Sequence, residues 1–137
     1  MNYYLVKSEP FKYSWNTFAQ DKTTFWDGVR NYQARNTLRD MKIGDKVLFY
    51  HSNEGLEIVG IATVHKESYQ DPTTDDSRWV VVDLSVDKKL DNPVSLHMIK
   101  QDSILQDMLL VKQSRLSVMP VTSDQFHRVL LLSNTTY

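Results

Sequence analysis

The sequence predicts a mixed α+β fold: a closed or nearly closed β-barrel of about five or six strands with flanking helices. Three observations predict it. Short β-rich runs recur along the chain, two of them around the hairpin signal Asn53-Glu54-Gly55. The run at Lys46–Ser52 is apolar on both faces, with Val47 and Phe49 on one side and Leu48 and Tyr50 on the other; a strand apolar on both sides is covered on both sides. Between the runs lie segments with apolar residues at helical spacing, which supply that cover.

The elements follow in order. Tyr3 to Val6 is a β-rich run that ends at Ser8-Glu9-Pro10, where proline interrupts regular structure. Ser14 caps a short helix through Trp15, Phe18 and Ala19. A second helix is expected over Tyr32–Met41, where Ala34, Leu38 and Met41 fall at i, i+4 and i+7 and form a core stripe. Gly44-Asp45 turns the chain into the strand Lys46–Ser52, and Leu56–His65 returns beside it. A polar loop containing Asp71–Asp76 leads to a strand over Trp79–Val86. Ser95 caps a short helix with Leu96 and Ile99, and Arg115–Pro120 reads as the last strand. Thr122 and Gln125 have capping-box spacing and open a helix with Phe126, Val129 and Leu130 inward.

Composition narrows the function classes. With 137 residues and no repeat or Gly/Ser linker, residues 1–137 read as one domain. A net charge of -1 argues against coating nucleic acid by bulk electrostatics, so any such contact must rest on a local basic patch and a specific pocket. The chain has no cysteine, which excludes disulfides, thiolate metal sites and a cysteine nucleophile. No run approaches the roughly 20 apolar residues of a membrane span, and Met1–Lys7 lacks the pattern of a secretory leader. A cytoplasmic monomer without membrane partners or a cofactor is expected.

Phe25 to Asn36 is the segment richest in chemistry. Around Gly28 it gathers aromatic rings that stack on flat ligands, amides that read hydrogen-bonding edges, and Arg30 and Arg35, which suit phosphates. Trp26 lies in a polar, glycine-bearing loop and not on a periodic stripe. It either plugs a barrel end or walls a pocket, and Asp27, Gly28 and Asn31 beside it favour the pocket. Trp79 shares a strand face with Val81 and Asp83; on spacing alone, sheet packing is the simpler reading. Arg35 and Arg39 are one helical turn apart and, with Arg30, Lys42 and Lys46, form either a basic flank or a solvated face balanced by Asp40 and Asp45. Gln113-Ser114-Arg115-Leu116-Ser117 repeats the amide, hydroxyl and guanidinium set in a form suited to phosphate contacts.

Enzyme signatures are thin. His51, His65, His97 and His127 have no metal-ligand spacing, and no phosphate loop or nucleophile elbow is present. Strand alternation sends His51 to the face opposite Ser52, which is poor geometry for a Ser–His dyad. No catalytic or metal residue is assigned.

The ordered blocks Tyr4–Pro10, Trp26–Asn36, Gly44-Asp45, Phe49–Ser52, Gly60-Ile61-Ala62, Trp79-Val80 and Gln113–Ser117 resemble the EVE domain family of the PUA-like superfamily over nearly the whole chain. The resemblance implies a PUA-like barrel whose pocket accepts a flipped, modified base, most directly 5-methyl- or 5-hydroxymethylcytosine in DNA. The order of Lys7-Ser8, Trp26 and Trp79 is similar to the pattern of the YTH domains, which carries both tryptophans over as cage walls. The expected base-binding pocket comprises Lys7, Ser8, Trp26, Asp27, Asn31, Tyr32, Tyr50, Ser52 and Trp79. The expected phosphate contacts are Arg30, Arg35, Arg39, Ser114 and Arg115. Two other readings stand beside it: a reader of modified tRNA or rRNA, and a nucleotide-processing enzyme using Glu9, Asp27 or His51.

Overall fold

The computed structural model describes residues 1–137. Its strands are β1 (Tyr3–Ser8), β2 (Thr23–Phe25), β3 (Lys46–His51), β4 (Glu57–Gln70), β5 (Val80–Ser95) and β6 (Val118–Val121). Its helices are α1 (Trp15–Asp21), α2 (Tyr32–Asp40), α3 (Leu96–Gln101), α4 (Leu109–Lys112) and α5 (Ser123–Leu132), with a 3-10 turn at Leu105–Asp107. The strands form one mixed sheet in the order β2-β5-β4-β3-β1-β6. Only β1 and β3 run parallel; every other pair is antiparallel.

The sheet curls strongly. Trp26 directly follows β2, and Phe49 belongs to β3, three places away in the sheet order. In a flat sheet their strands would lie about 14 Å apart, yet the two ring centroids are 5.5 Å apart. Helix α2 packs against β4, β5 and β6 and so bridges the side where the two ends of the sheet do not pair. Val47, Leu48, Phe49 and Tyr50 are all buried, as the two-faced apolar pattern of β3 requires.

Local signals place the helices. Ser14, Ser95 and Thr122 each accept a hydrogen bond from a first-turn backbone N–H, and Thr122 with Gln125 completes a capping box. Asn31 caps α2 in the same way. Ala34, Leu38 and Met41 are buried as one stripe. Phe18 stacks on Phe49 with centroids 5.4 Å apart, so α1 seals the interior of the barrel.

Three strand boundaries differ from the expected ones and three short elements were not expected, each for a physical reason. The three-residue β2 is too short to carry a periodic signal and is ordered by pairing with β5. Strands β4 and β5 run well past His65 and Val86 because they pair with each other through several register shifts, which satisfy the backbone despite a polar sequence. The last strand begins at Val118, later than Arg115, and its Pro120 is tolerated because β6 lies at the sheet edge. The 3-10 turn and α4 have no expected counterpart; they are too short for a helical repeat to show.

Candidate nucleic-acid interface

A cavity of about 410 Å³ opens where β1 ends, lined by Lys7, Ser8, Glu9, Lys12, Tyr13, Thr24, Phe25, Trp26 and Asp27. Three distant segments meet there: the end of β1 with the loop after it, β2, and the start of the Trp26–Asn31 loop. Trp26 is fixed by a 2.8 Å hydrogen bond from its backbone N–H to the Val82 carbonyl, and its ring meets Phe49 and Tyr13 edge-on. It is 8% exposed and therefore supplies both core packing and a wall of the cavity.

Polar groups around this wall are held in defined directions. The Ser8 hydroxyl donates to the Tyr13 carbonyl at 2.5 Å, which leaves its lone pairs available. Lys7 Nζ donates to the Ser114 carbonyl at 2.7 Å, and partial burial pushes the pKa of this ammonium down. Burial also pushes the Tyr13 hydroxyl up, and that hydroxyl donates to Asp21 at 2.9 Å. Asp27 is exposed at the rim. The cavity thus combines an indole wall, a cationic donor, a hydroxyl acceptor and a carboxylate, a set that recognises a flat heterocycle with hydrogen-bonding edges.

Lys7 also borders a second hollow of about 330 Å³, shared with Tyr50, Ser52, Asn53, Leu56, Leu96, Leu110 and Ser114. A third, of about 360 Å³, lies between the start of α2 and the segment before β6, lined by Asn31, Gln33, Lys112, Gln113, Ser114, Arg115 and Leu116. Arg115 and Lys112 make this third hollow basic. Arg115 is exposed and enters no ion pair, while Lys112 faces Asp107 at 3.5 Å.

Lys7, Ser8, Trp26 and Asp27 therefore come together. Tyr50 and Ser52 line the adjoining hollow, and Asn31 lies with Ser114 and Arg115 in the basic one. Other expectations need correction. Trp79 does not oppose Trp26: it packs on Tyr32, with centroids 5.2 Å apart, while the guanidinium groups of Arg30 and Arg78 lie over its ring. Neither Trp79 nor Tyr32 lines the Trp26 cavity, so no two-tryptophan sandwich forms there. Arg30 is not a free phosphate contact, because it pairs with the buried Asp71 at 2.9 Å and reaches the Thr73 hydroxyl at 3.3 Å. Arg35 is engaged by the Asn36 side chain at 2.8 Å and lies over the Tyr32 ring. Arg39 is exposed and lines none of these three hollows.

The expected pocket left out Glu9, Lys12, Tyr13, Thr24 and Phe25, all of which line this cavity. Thr24 and Phe25 depend on β2, which left no periodic signal; the others depend on a loop folded back by long-range contacts. His51 accepts the Trp15 backbone N–H through Nε2 at 3.1 Å, which commits it to holding α1. No group of three or more His, Asp or Glu side chains is arranged to hold a metal ion. No helix is long and apolar enough to cross a membrane.

The curled mixed sheet carries a polar, tryptophan-walled cavity at the end of its first strand, and the solved structures it resembles make it a PUA-like domain. The EVE domain model matches residues 2–132, and the chain belongs to the EVE domain family. It is 37% identical to thymocyte nuclear protein 1 of Mus musculus over 98% of this chain and 74% of that protein. It covers 59% of the Danio rerio protein of the same name. The crystal structure of protein Atu2648 from Agrobacterium tumefaciens is 46% identical, with a TM-score of 0.96 over 98% of this chain and 94% of that one. Human THYN1 protein in complex with 5-methylcytosine-containing DNA is 34% identical, with a TM-score of 0.89 over the whole of both chains. A YTH domain of Zygosaccharomyces rouxii in complex with N6-methyladenosine RNA shares the fold alone, at 17% identity and a TM-score of 0.63.

Proposed function

We propose that this domain is a non-catalytic reader of modified cytosine in DNA, which takes the extruded base into the cavity walled by Trp26. The observation that carries the reading is the convergence of Trp26, Lys7, Ser8 and Asp27 on one cavity large enough to admit a nucleobase, in a chain so similar to a human protein solved with 5-methylcytosine-containing DNA. Extruding a base costs a few kcal/mol, and stacking on an aromatic ring returns about 1–3 kcal/mol. Lys7, Ser8 and Asp27 test the hydrogen-bonding edge of the base. Arg115, Ser114 and Lys112, in the basic hollow beside Lys7, position the backbone. A buried methyl contributes only about 1 kcal/mol, so discrimination between cytosine and 5-methylcytosine is modest unless the unmodified base leaves a polar group unpaired.

The domain acts in this reading as a monomer, without a cofactor, and in a cytoplasmic setting; what it requires of its surroundings is access to nucleic acid. The engagement of His51 with the Trp15 backbone weighs against an enzymatic role for that residue. The test is titration of one duplex carrying cytosine, 5-methylcytosine or 5-hydroxymethylcytosine at a single position, at physiological salt, with wild type and Trp26→Phe. Tighter binding of a modified duplex, weakened in Trp26→Phe, supports the reading. Equal affinity for all three sinks it, and a preference for modified tRNA over any DNA transfers the pocket to RNA.

A further inference from the structure

Phe11 is a large apolar side chain that the fold does not use. It is 67% exposed, belongs to no core cluster and packs on no other ring; only the Lys12 ammonium approaches it, 5.8 Å from the ring centroid. A solvent-facing phenylalanine usually sits on a loose loop, but this one does not. The backbone N–H groups of Lys12 and Tyr13 both donate to the Glu9 carbonyl at 2.9 Å. The Ser8 hydroxyl donates to the Tyr13 carbonyl at 2.5 Å, and Asn53 on the β3–β4 hairpin donates to the Glu9 carboxylate at 2.5 Å. Pro10, with its fixed φ, precedes Phe11 directly. The turn is thus tied at both ends and to the β3–β4 hairpin, and it holds Phe11 outward.

The position matters as much as the rigidity. Glu9, Lys12 and Tyr13, on both sides of Phe11 in the chain, line the Trp26 cavity, and Phe25, 44% exposed, lines it as well. A base that enters this cavity leaves a gap in the duplex at the cavity mouth, where an apolar ring is more favourable than water. We propose that Phe11 is a wedge that fills the base stack vacated by the extruded nucleotide, on a turn where the neighbouring Lys12 is held by the Glu9 carboxylate at 3.3 Å. The proposal rests on the reader function above and adds the substrate form: a paired duplex, and not a strand already open.

The experiment compares wild type, Phe11→Ala and Phe11→Trp on a 5-methylcytosine duplex, on the same duplex unmethylated and on the methylated strand alone, by fluorescence anisotropy. Phe11→Ala is expected to lose about tenfold in affinity for the duplex, the scale of the stacking in one average DNA base step, with little change on the single strand, where no stack needs filling. Phe11→Trp is expected to retain duplex affinity. An equal loss on both substrates, or no loss on the duplex, overturns the wedge. The reader function fails by a different sign: wild type then binds methylated and unmethylated duplex equally, whatever the residue at Phe11. Absence of any duplex binding by wild type overturns both.

Discussion

The guanidinium of Arg30 lies 2.9 Å from the fully buried carboxylate of Asp71, and the Gly28 backbone N–H donates to the same oxygen at 3.1 Å. One carboxylate thus fixes the loop that follows Trp26 onto the turn after β4. Gly28 sits at φ +77, a conformation that L side chains rarely adopt and that lets its N–H point at Asp71. The anchor holds the backbone two residues after Trp26, although neither charged residue lines the cavity.

Asp71→Asn is therefore expected to destabilise the fold by about 2 kcal/mol, since the hydrogen-bonded charge is lost while Arg30 keeps partial access to solvent. Urea denaturation at neutral pH measures it. The pH dependence has a definite sign. Burial pushes the Asp71 carboxyl up, but hydrogen bonds from the Thr73 hydroxyl, Arg30, and the Thr73 and Gly28 backbone outweigh it and hold the pKa at about 2. The ionised, paired carboxylate stabilises the fold fully above its unfolded pKa of about 3.9, and that contribution is lost as pH falls through about 2. The variant should lack this acid-dependent component.

His51 gives a second pH signature. Burial pushes its pKa down against the opposing pull of Glu57, and the neutral ring accepts the Trp15 N–H through Nε2. A depressed histidine contributes stability above its unfolded pKa of about 6.5 that is lost as pH falls toward the folded value. Wild-type Tm should drop as pH falls below about 6.5 by more than that of His51→Gln, whose amide oxygen still accepts the N–H. Parallel curves would separate His51 from acid sensitivity.

Gly60 in β4 is required by Trp15. A Cβ at this position would lie 2.4 Å from the Trp15 ring, and both residues are buried in the barrel. Gly60→Ala is expected to cost about 2–3 kcal/mol through overpacking. Combining it with Trp15→Leu should cost less than the sum of the single changes, the non-additivity that marks direct contact.

Trp26→Ala is expected to cost about 3 kcal/mol in stability, because the indole is buried against Phe49 and Tyr13 as well as facing the cavity. Chemical denaturation measures that loss. The milder Trp26→Phe keeps the apolar packing and isolates the effect on the ligand.

Arg115 and Arg30 should differ in salt dependence. Arg115 is exposed and unpaired in the basic hollow, so Arg115→Ala is expected to weaken DNA binding evenly across sequences. It should also flatten the slope of log K against log salt by about 0.9. Arg30→Ala should lower stability and leave that slope unchanged, since its charge is already matched by Asp71.

Short-range rules determined much of this protein before folding is considered. The Ser14, Ser95 and Thr122 caps, the buried stripe of Ala34, Leu38 and Met41, and the two-faced strand at Val47–Tyr50 all depend on residues within a few positions of one another. The aromatic, amide and guanidinium richness of Phe25–Asn36 was equally legible, but not the division of labour within it. Trp26 turns to a cavity built with β1 and β2, Asn31 caps a helix, Arg30 is claimed by an aspartate 41 positions away, and Tyr32 pairs with Trp79 outside that cavity. Sequence spacing records which groups are available. Which of them share a surface is decided by how far the sheet curls and by which buried charge needs a partner, and both arise only when distant segments meet.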